Sequence, residues 1–247
     1  MTPRRLGELT TDEVRTLLAL PPTAALVPVG SVEPHGPHLP LATDTVLSET
    51  AALRACDALA ARGVTALVAP SVAYGVTDFA EGFAGAVSVP AGVLTALLRA
   101  IATRLLADGW TRVCFVNNHL EPAHDAAVRA AVDGLAGACV ASPLSRRWGR
   151  TLSDEFKRGD CHAGRYETSL VLAAGGRVSD AHRELPSVGI SLAEAIRAGT
   201  ATFRAAGMDR AYTGAPAEAT HEEGDALYEK LVAMVAGEVL EGLNPSP

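Results

Sequence analysis

The chain has 247 residues, 48% of them hydrophobic but only 4% aromatic, so a large core must be filled mainly by Ala, Val and Leu. Its formal net charge is −7 and its Lys and Arg never run beyond two in a row, which excludes the concentrated basic face that a nucleic acid or an anionic membrane requires. Cys56, Cys114, Cys139 and Cys161 lie far apart with no CxxC pair, against a disulfide framework or zinc knuckle. No apolar stretch approaches the ~20 residues that span a bilayer. No apolar run follows Arg4-Arg5 as it would in a signal peptide, so a cytoplasmic protein is expected.

In chain order, Thr10 and Glu13 form a capping-box pattern ahead of Val14, Leu17 and Leu18, which predicts a short helix ended by Pro21-Pro22. Ala24 to Val29 reads as a buried strand. Gly30 to Thr43 cannot be regular structure, because it carries Pro34, Gly36, Pro37 and Pro40. A helix follows from Asp44 to Arg62, with Gly63 past its end. The cycle then repeats: a strand at 64–69, a loop at 70–89, a helix from Pro90 to Asp108, a strand at 111–117, a helix at 122–133 and a strand at 138–141. Helix patterns return at 164–174 and 218–240. Strands alternating with helices predict an α/β fold, one domain over 1–247, with helices on both faces of a mainly parallel sheet.

The polar residues are spread unevenly. Glu33, His35, His38 and Asp44 follow the first strand, and Asn117, Asn118, His119 and Glu121 follow the third. Both groups fall at the carboxyl ends of strands, where open α/β sheets place ligands. In an extended chain residues two apart point the same way, which pairs Glu33 with His35 and His119 with Glu121. With Asp44 they make three carboxylates and two imidazoles, a set suited to two divalent metals. Nitrogen and oxygen donors without thiolate fit Zn or Mn, with Fe also acceptable. Asp44 is the natural bridge, since its two oxygens can serve two ions, and such a centre activates water against a carbonyl.

The segment Val29-Gly-Ser-Val-Glu33-Pro-His35-Gly-Pro-His38-Leu-Pro-Leu-Ala-Thr-Asp44 closely resembles the signature of the creatininase (creatinine amidohydrolase) family. Asn117-Asn-His119-Leu-Glu121 resembles that family's second metal loop, and Cys161-His162-Ala-Gly-Arg-Tyr-Glu167-Thr-Ser169 its HAGxxETS motif. Gly214-Ala-Pro216 with Ala219-Thr220 echoes a weaker C-terminal motif. The resemblance implies the three-layer α/β/α creatininase-like fold and a metal-dependent amidohydrolase that cleaves a C–N bond in a small cyclic amide or formamide. It implies Glu33, His35, Asp44, His119 and Glu121 as ligands of two ions, His162 as the general acid or base, and Glu121 as a catalytic position as well as a ligand. Glu167 would support a ligand or His162, or else anchor a helix with Arg165. A homo-oligomer, commonly a hexamer in this family, is the implied assembly.

The aromatic and acidic residues that creatininases place just before the third-motif His are replaced here by Lys157-Arg158-Gly159-Asp160-Cys161, which points away from creatinine itself. Trp148 is a candidate pocket residue, and Arg146, Arg147, Arg150, Lys157 and Arg158 suggest an anionic group on the substrate. Two other readings stand beside the small-amide one: a peptidase acting on a biosynthetic precursor peptide, and a metal-binding scaffold without turnover. With no GxGxxG or Walker loop, nothing is available to cradle a pyrophosphate.

Overall fold

The structure, a computed structural model, describes residues 4–243. Its strands are Thr23–Val29 (β1), Thr65–Val68 (β2), Arg112–Asn117 (β3) and Ala138–Ala141 (β4). They form one parallel sheet in the order β2-β1-β3-β4. The register sets Ala24 opposite Ala66 on one side and Arg112 on the other, and Val29 opposite Asn117. The helices of the same region are Thr11–Leu18 (α1), Thr43–Ala60 (α2), Ala91–Ala107 (α3) and Pro122–Val132 (α4). Each lies within two residues of its predicted bounds. Thr10 caps α1 through the expected capping box with Glu13, and Pro122 opens α4.

The strands are apolar throughout because the sheet is covered on both faces. Ala24, Leu26, Cys114 and Val116 face one core, and Ala25, Val27, Val29, Val113 and Phe115 face the other, as a period of two requires. The first core is closed by α2 together with two later helices, Arg165–Ala173 (α7) and His221–Glu241 (α9). The second is closed by α3, α4 and the leucines of α1.

Strand order reverses between β1 and β3: the connection through α2 leads to one side of β1, and the connection through α3 to the other. A crevice opens outside the carboxyl ends of strands at such a switch point. The loops after β1 and β3 border it.

The stretch between Ser142 and Thr220 contains helices that its sequence pattern does not announce: Arg146–Gly149 (α5), Asp154–Arg158 (α6) and Leu192–Arg197 (α8). They are four to six residues long, too short for an apolar periodicity to register. A small third core joins Phe203, Met208, Ala211 and Leu192 of this region to Phe79, Ala80 and Phe83 of the loop after β2. Among the described residues no helix is long and apolar enough to cross a membrane.

Candidate metal centre

Backbone carbonyls around the crevice fix the ring orientation of three histidines. A carbonyl can only accept, so the ring nitrogen that meets it carries the proton and the other keeps its lone pair. His35 donates from Nδ1 to the carbonyl of Glu33 (3.2 Å), leaving Nε2 free. His119 donates from Nε2 to the carbonyl of Val76 (2.7 Å), leaving Nδ1 free. His162 donates from Nε2 to the carbonyl of Pro34 (3.1 Å), leaving Nδ1 free.

The free nitrogens converge on carboxylates. His35 Nε2 lies 3.2 Å from Asp44 Oδ1 and 3.4 Å from Glu167 Oε2. His119 Nδ1 lies 3.2 Å from Asp44 Oδ2 and 3.3 Å from Glu33 Oε1. Asp44 therefore turns one oxygen to each imidazole. Two triads result, His35/Asp44/Glu167 and Glu33/Asp44/His119, and a third grouping joins Glu33 and His35 with His162. Donors bound at about 2.0–2.2 Å around one tetrahedral ion sit roughly 3.4 Å from each other, so the spacing matches.

The donor atoms are also ones that need a partner. His35 Nε2 and His119 Nδ1 are buried without any hydrogen bond, although each lies near two carboxylate oxygens. Each nitrogen stands 3.2–3.4 Å from two carboxylate oxygens, the spacing that donors to one shared cation have. Burial opposes a charge on His35, yet Asp44 and Glu167 push the imidazole up to about 10, and Glu33 and Asp44 raise His119 in the same way. Among the described residues only imidazoles come within 4 Å of Glu33, Asp44 and Glu167 as countercharges. A buried cluster of acids calls for positive charge, and divalent cations fit it.

Local structure explains the placement. Asp44 lies in the first turn of α2, where the helix dipole favours an anion, and accepts from the Ser31 hydroxyl (2.9 Å). Gly36 has φ +63, and a Cβ there would fall 2.8 Å from the His38 ring, so the turn between His35 and His38 needs glycine. The Thr77 hydroxyl donates to Glu33 Oε2.

Two positions differ from expectation. Glu167 stands in a metal-competent triad rather than behind one, its Oε2 accepting also from the Ala163 N–H (2.6 Å). Glu121 is not in the triads; its oxygens accept from the backbone N–H groups of Asp78 (3.2 Å) and Phe79 (3.3 Å), and burial pushes it up to about 7. It still lines the same cavity, with Glu33, Asp44, His119, His162 and Glu167.

Trp148 has to be corrected: its indole N–H donates to Glu238 on α9 (2.6 Å) and its ring packs against Gly237, away from the crevice. The basic cluster is likewise occupied elsewhere. Arg147 pairs with Glu241, Lys157 with Asp154 (3.1 Å) and Arg158 with Asp160 (3.3 Å). Among the described residues no Lys or Arg lines the cavity, which is small, about 40 Å³, and whose walls include Phe79, Leu120, Leu192, Ile196 and Phe203.

Phe203 stacks on the His162 ring at 4.4 Å and 25°, and no pattern in the sequence marks it. Burial and the neighbouring His35 lower His162 to about 4, so it is neutral at ordinary pH. The next residue, Ala163, is buried with φ +48, a left-handed conformation that costs a non-glycine residue roughly 1–2 kcal/mol. That turn aims His162 at the cavity while the Ala163 N–H holds Glu167.

Fold and site together define a three-layer α/β protein with a buried carboxylate–imidazole centre at the switch point of its sheet. A family model described as creatinine amidohydrolase (creatininase) matches residues 7–239. The chain belongs to the creatininase family, whose name is that of a hydrolase acting on C–N bonds. It is 33% identical over 92% of its length to the mycofactocin precursor peptide peptidase of Mycobacterium ulcerans, of which 88% is covered. The homologous peptidase of Mycolicibacterium smegmatis is 36% identical over 69% of this chain, which spans just 64% of that relative. The creatinine amidohydrolase of Pseudomonas putida is 30% identical over 47% of the chain and 45% of its own length. A solved structure described as "Creatininase Mn" shares the fold, with TM-score 0.76 and 20% identity over 99% of this chain and 100% of its own.

Proposed function

We propose that the chain hydrolyses a C–N amide bond at a centre of two divalent cations, Zn or Mn, bridged by Asp44. The observation that carries this reading is the sharing of Asp44, one oxygen to each of two buried triads whose imidazole lone pairs have no other partner. His35, Asp44 and Glu167 would hold one ion, and Glu33, Asp44 and His119 the other. Solved creatininases described as Mn and Zn-Zn forms support the same choice of metals. When bound, two such ions supply Lewis acidity toward a carbonyl oxygen and toward water.

The remaining chemistry belongs to side chains. His162 starts neutral with its Nδ1 lone pair 3.8 Å from Glu33 Oε1, so it can take a proton from the attacking water. Held by Pro34 on one nitrogen and by Phe203 across its face, it then delivers that proton to the leaving nitrogen. Glu121, anchored by two backbone amides and raised by burial, is placed to carry a second proton beside the cavity. A scaffold without turnover has no need of a neutral imidazole aimed at the centre.

For the substrate, the relatives named precursor peptide peptidases support a peptide amide, since the likeness to one of them spans 92% of the chain. A small amide is the second reading, favoured by the small cavity, about 40 Å³, with Leu192, Ile196 and Phe203 in its lining. The absence of Lys or Arg from its lining withdraws support from an anionic substrate group.

The first test is metal content per chain, measured by elemental mass spectrometry on protein purified without a chelating tag. A value near two is expected. A value near zero that survives reconstitution with Zn or Mn would end the hydrolase reading. Metal-loaded protein is then offered short peptides, lactams and formamides; release of a peptide fragment selects the first substrate reading, and turnover of small amides alone selects the second.

A further inference from the structure

We infer that His124, which belongs to none of the ligand groups, is a positioning residue that fixes His119 toward the metal centre through the backbone of Val76. The inference rests on the two-ion reading above.

Residues 75–79 run past the centre and bind three of the acids and imidazoles that line its cavity. The Val76 carbonyl receives the His119 Nε2–H at 2.7 Å, the Thr77 hydroxyl donates to Glu33, and the Asp78 and Phe79 amides donate to Glu121. What holds this strap from behind is His124, in the first turn of α4: its Nδ1 lies 3.2 Å from the Val76 N–H. A backbone N–H can only donate, so His124 Nδ1 must be the acceptor and its own proton must sit on Nε2. The Val76 peptide is thus pinned from both sides, by His124 at its nitrogen and by His119 at its oxygen.

Two features separate this from simple space-filling. His124 is fully buried and its Nε2 has no partner, so an imidazole here costs free energy that an aliphatic side chain of similar size would not. The strap is also shaped to admit the ring, because a Cβ at Gly75 would fall 2.4 Å from His124 Nδ1. The two imidazoles meet edge to face at 4.6 Å, and what fixes which His119 nitrogen faces the carboxylates is the bond from its Nε2–H to the Val76 carbonyl. Loss of the His124 acceptor therefore frees the Val76 peptide and, with it, the ring direction of one ligand.

The test compares His124→Leu, which keeps bulk without an acceptor, with His124→Asn, whose amide oxygen can replace Nδ1. Zn²⁺ binding to the full chain is followed by competition with a chromophoric chelator. His124→Leu should weaken one of two Zn²⁺ ions on the order of 10–100-fold, the usual effect of losing support behind a ligand, and His124→Asn should restore it. Unchanged affinity in His124→Leu, or an equal loss in both variants, overturns the inference. Wild-type protein that takes up fewer than two Zn²⁺ defeats the two-ion reading and the inference with it, whereas two ions bound by wild type and His124→Leu alike defeat only the inference. Should His124→Leu fail to fold, histidine ¹⁵N spectra of the wild type decide. An unprotonated Nδ1 on His124 with a protonated Nε2 on His119 upholds the arrangement, and a protonated His124 Nδ1 overturns it.

Discussion

The crevice is built by two unlike regions. Up to Ala141 the chain is a regular succession of strands and helices, and its contribution, Glu33, His35, Asp44 and His119, stands on short loops clamped at the ends of β1 and β3 and on the first turn of α2. From Ser142 to Thr220 there is no strand, yet this region supplies His162, Glu167 and the apolar wall of Leu192, Ile196 and Phe203. Hydrogen bonds to one buried acid take the place of a sheet there. The Glu155 carboxylate accepts from the N–H groups of Arg165 (3.1 Å), Tyr166 (2.7 Å) and Ala215 (2.8 Å), tying the start of α7 to the following loop. The buried triads thus draw mainly on strand ends, while His162 and the walls come from a region whose order depends on a few buried polar contacts.

That division can be broken first at its centre. Asp44→Ala should remove the shared ligand, dropping metal content below one ion per chain and activity below detection; an enzyme that keeps both ions refutes the bridging role. Next in size, Glu167→Ala should cost one of the two ions, whereas Glu121→Ala should keep both and lose turnover. Equal metal loss in the two variants would return Glu121 to the ligand set. His162→Ala should leave metal content unchanged and lower kcat by roughly 10²–10⁴-fold, the usual range for a lost general acid–base. A change in KM alone would assign it to binding instead.

The same division explains what could be read from the sequence. The βα succession was legible because each element is long enough to show its period and is bounded by Pro or Gly, and the candidate ligands of the first region stood out because they crowd into two loops after predicted strands. Glu167 was harder to place. Its spacing from His162 fits a helix start, and only the fold of residues 142–164 brings that helix back to His35. Trp148 was misplaced because an aromatic beside arginines reads alike in a pocket and on a helix surface; Glu238, 90 residues away, decides it. Phe203 and the strap at residues 75–79 gave no signal, since an apolar residue in a loop and a backbone carbonyl carry no sequence signature of their role.

A smaller effect sharpens the comparison through pH. His38, on the loop after β1, meets Thr168 of α7 at 2.9 Å and so joins the two regions. Burial, with His182 beside it, lowers His38 to about 4, against an ordinary value near 6.5. Between those values the unfolded chain binds a proton that the folded chain does not, so stability falls as pH drops through 6.5 toward 4. In urea unfolding at pH 7 and pH 5, the wild type should lose about 2 kcal/mol more than His38→Asn. Parallel losses would mean that His38 protonates freely in the folded state.

The smallest effect comes from one substitution made in both regions. In α2, Ala51→Gly removes a buried methyl from a helix interior and should cost about 1 kcal/mol or more. At Ala163 the same change removes a buried methyl too, but it also relieves the left-handed backbone at φ +48, worth roughly 1–2 kcal/mol for a non-glycine residue. The opposing contributions nearly cancel, so Ala163→Gly should stay within about 0.5 kcal/mol of the wild type by urea unfolding. Yet this backbone directs His162 at the cavity and the Ala163 N–H at Glu167, and glycine leaves it freer to wander. Activity should therefore fall severalfold where stability does not. Stability and activity falling together would show that the methyl, not the turn, is what residue 163 contributes.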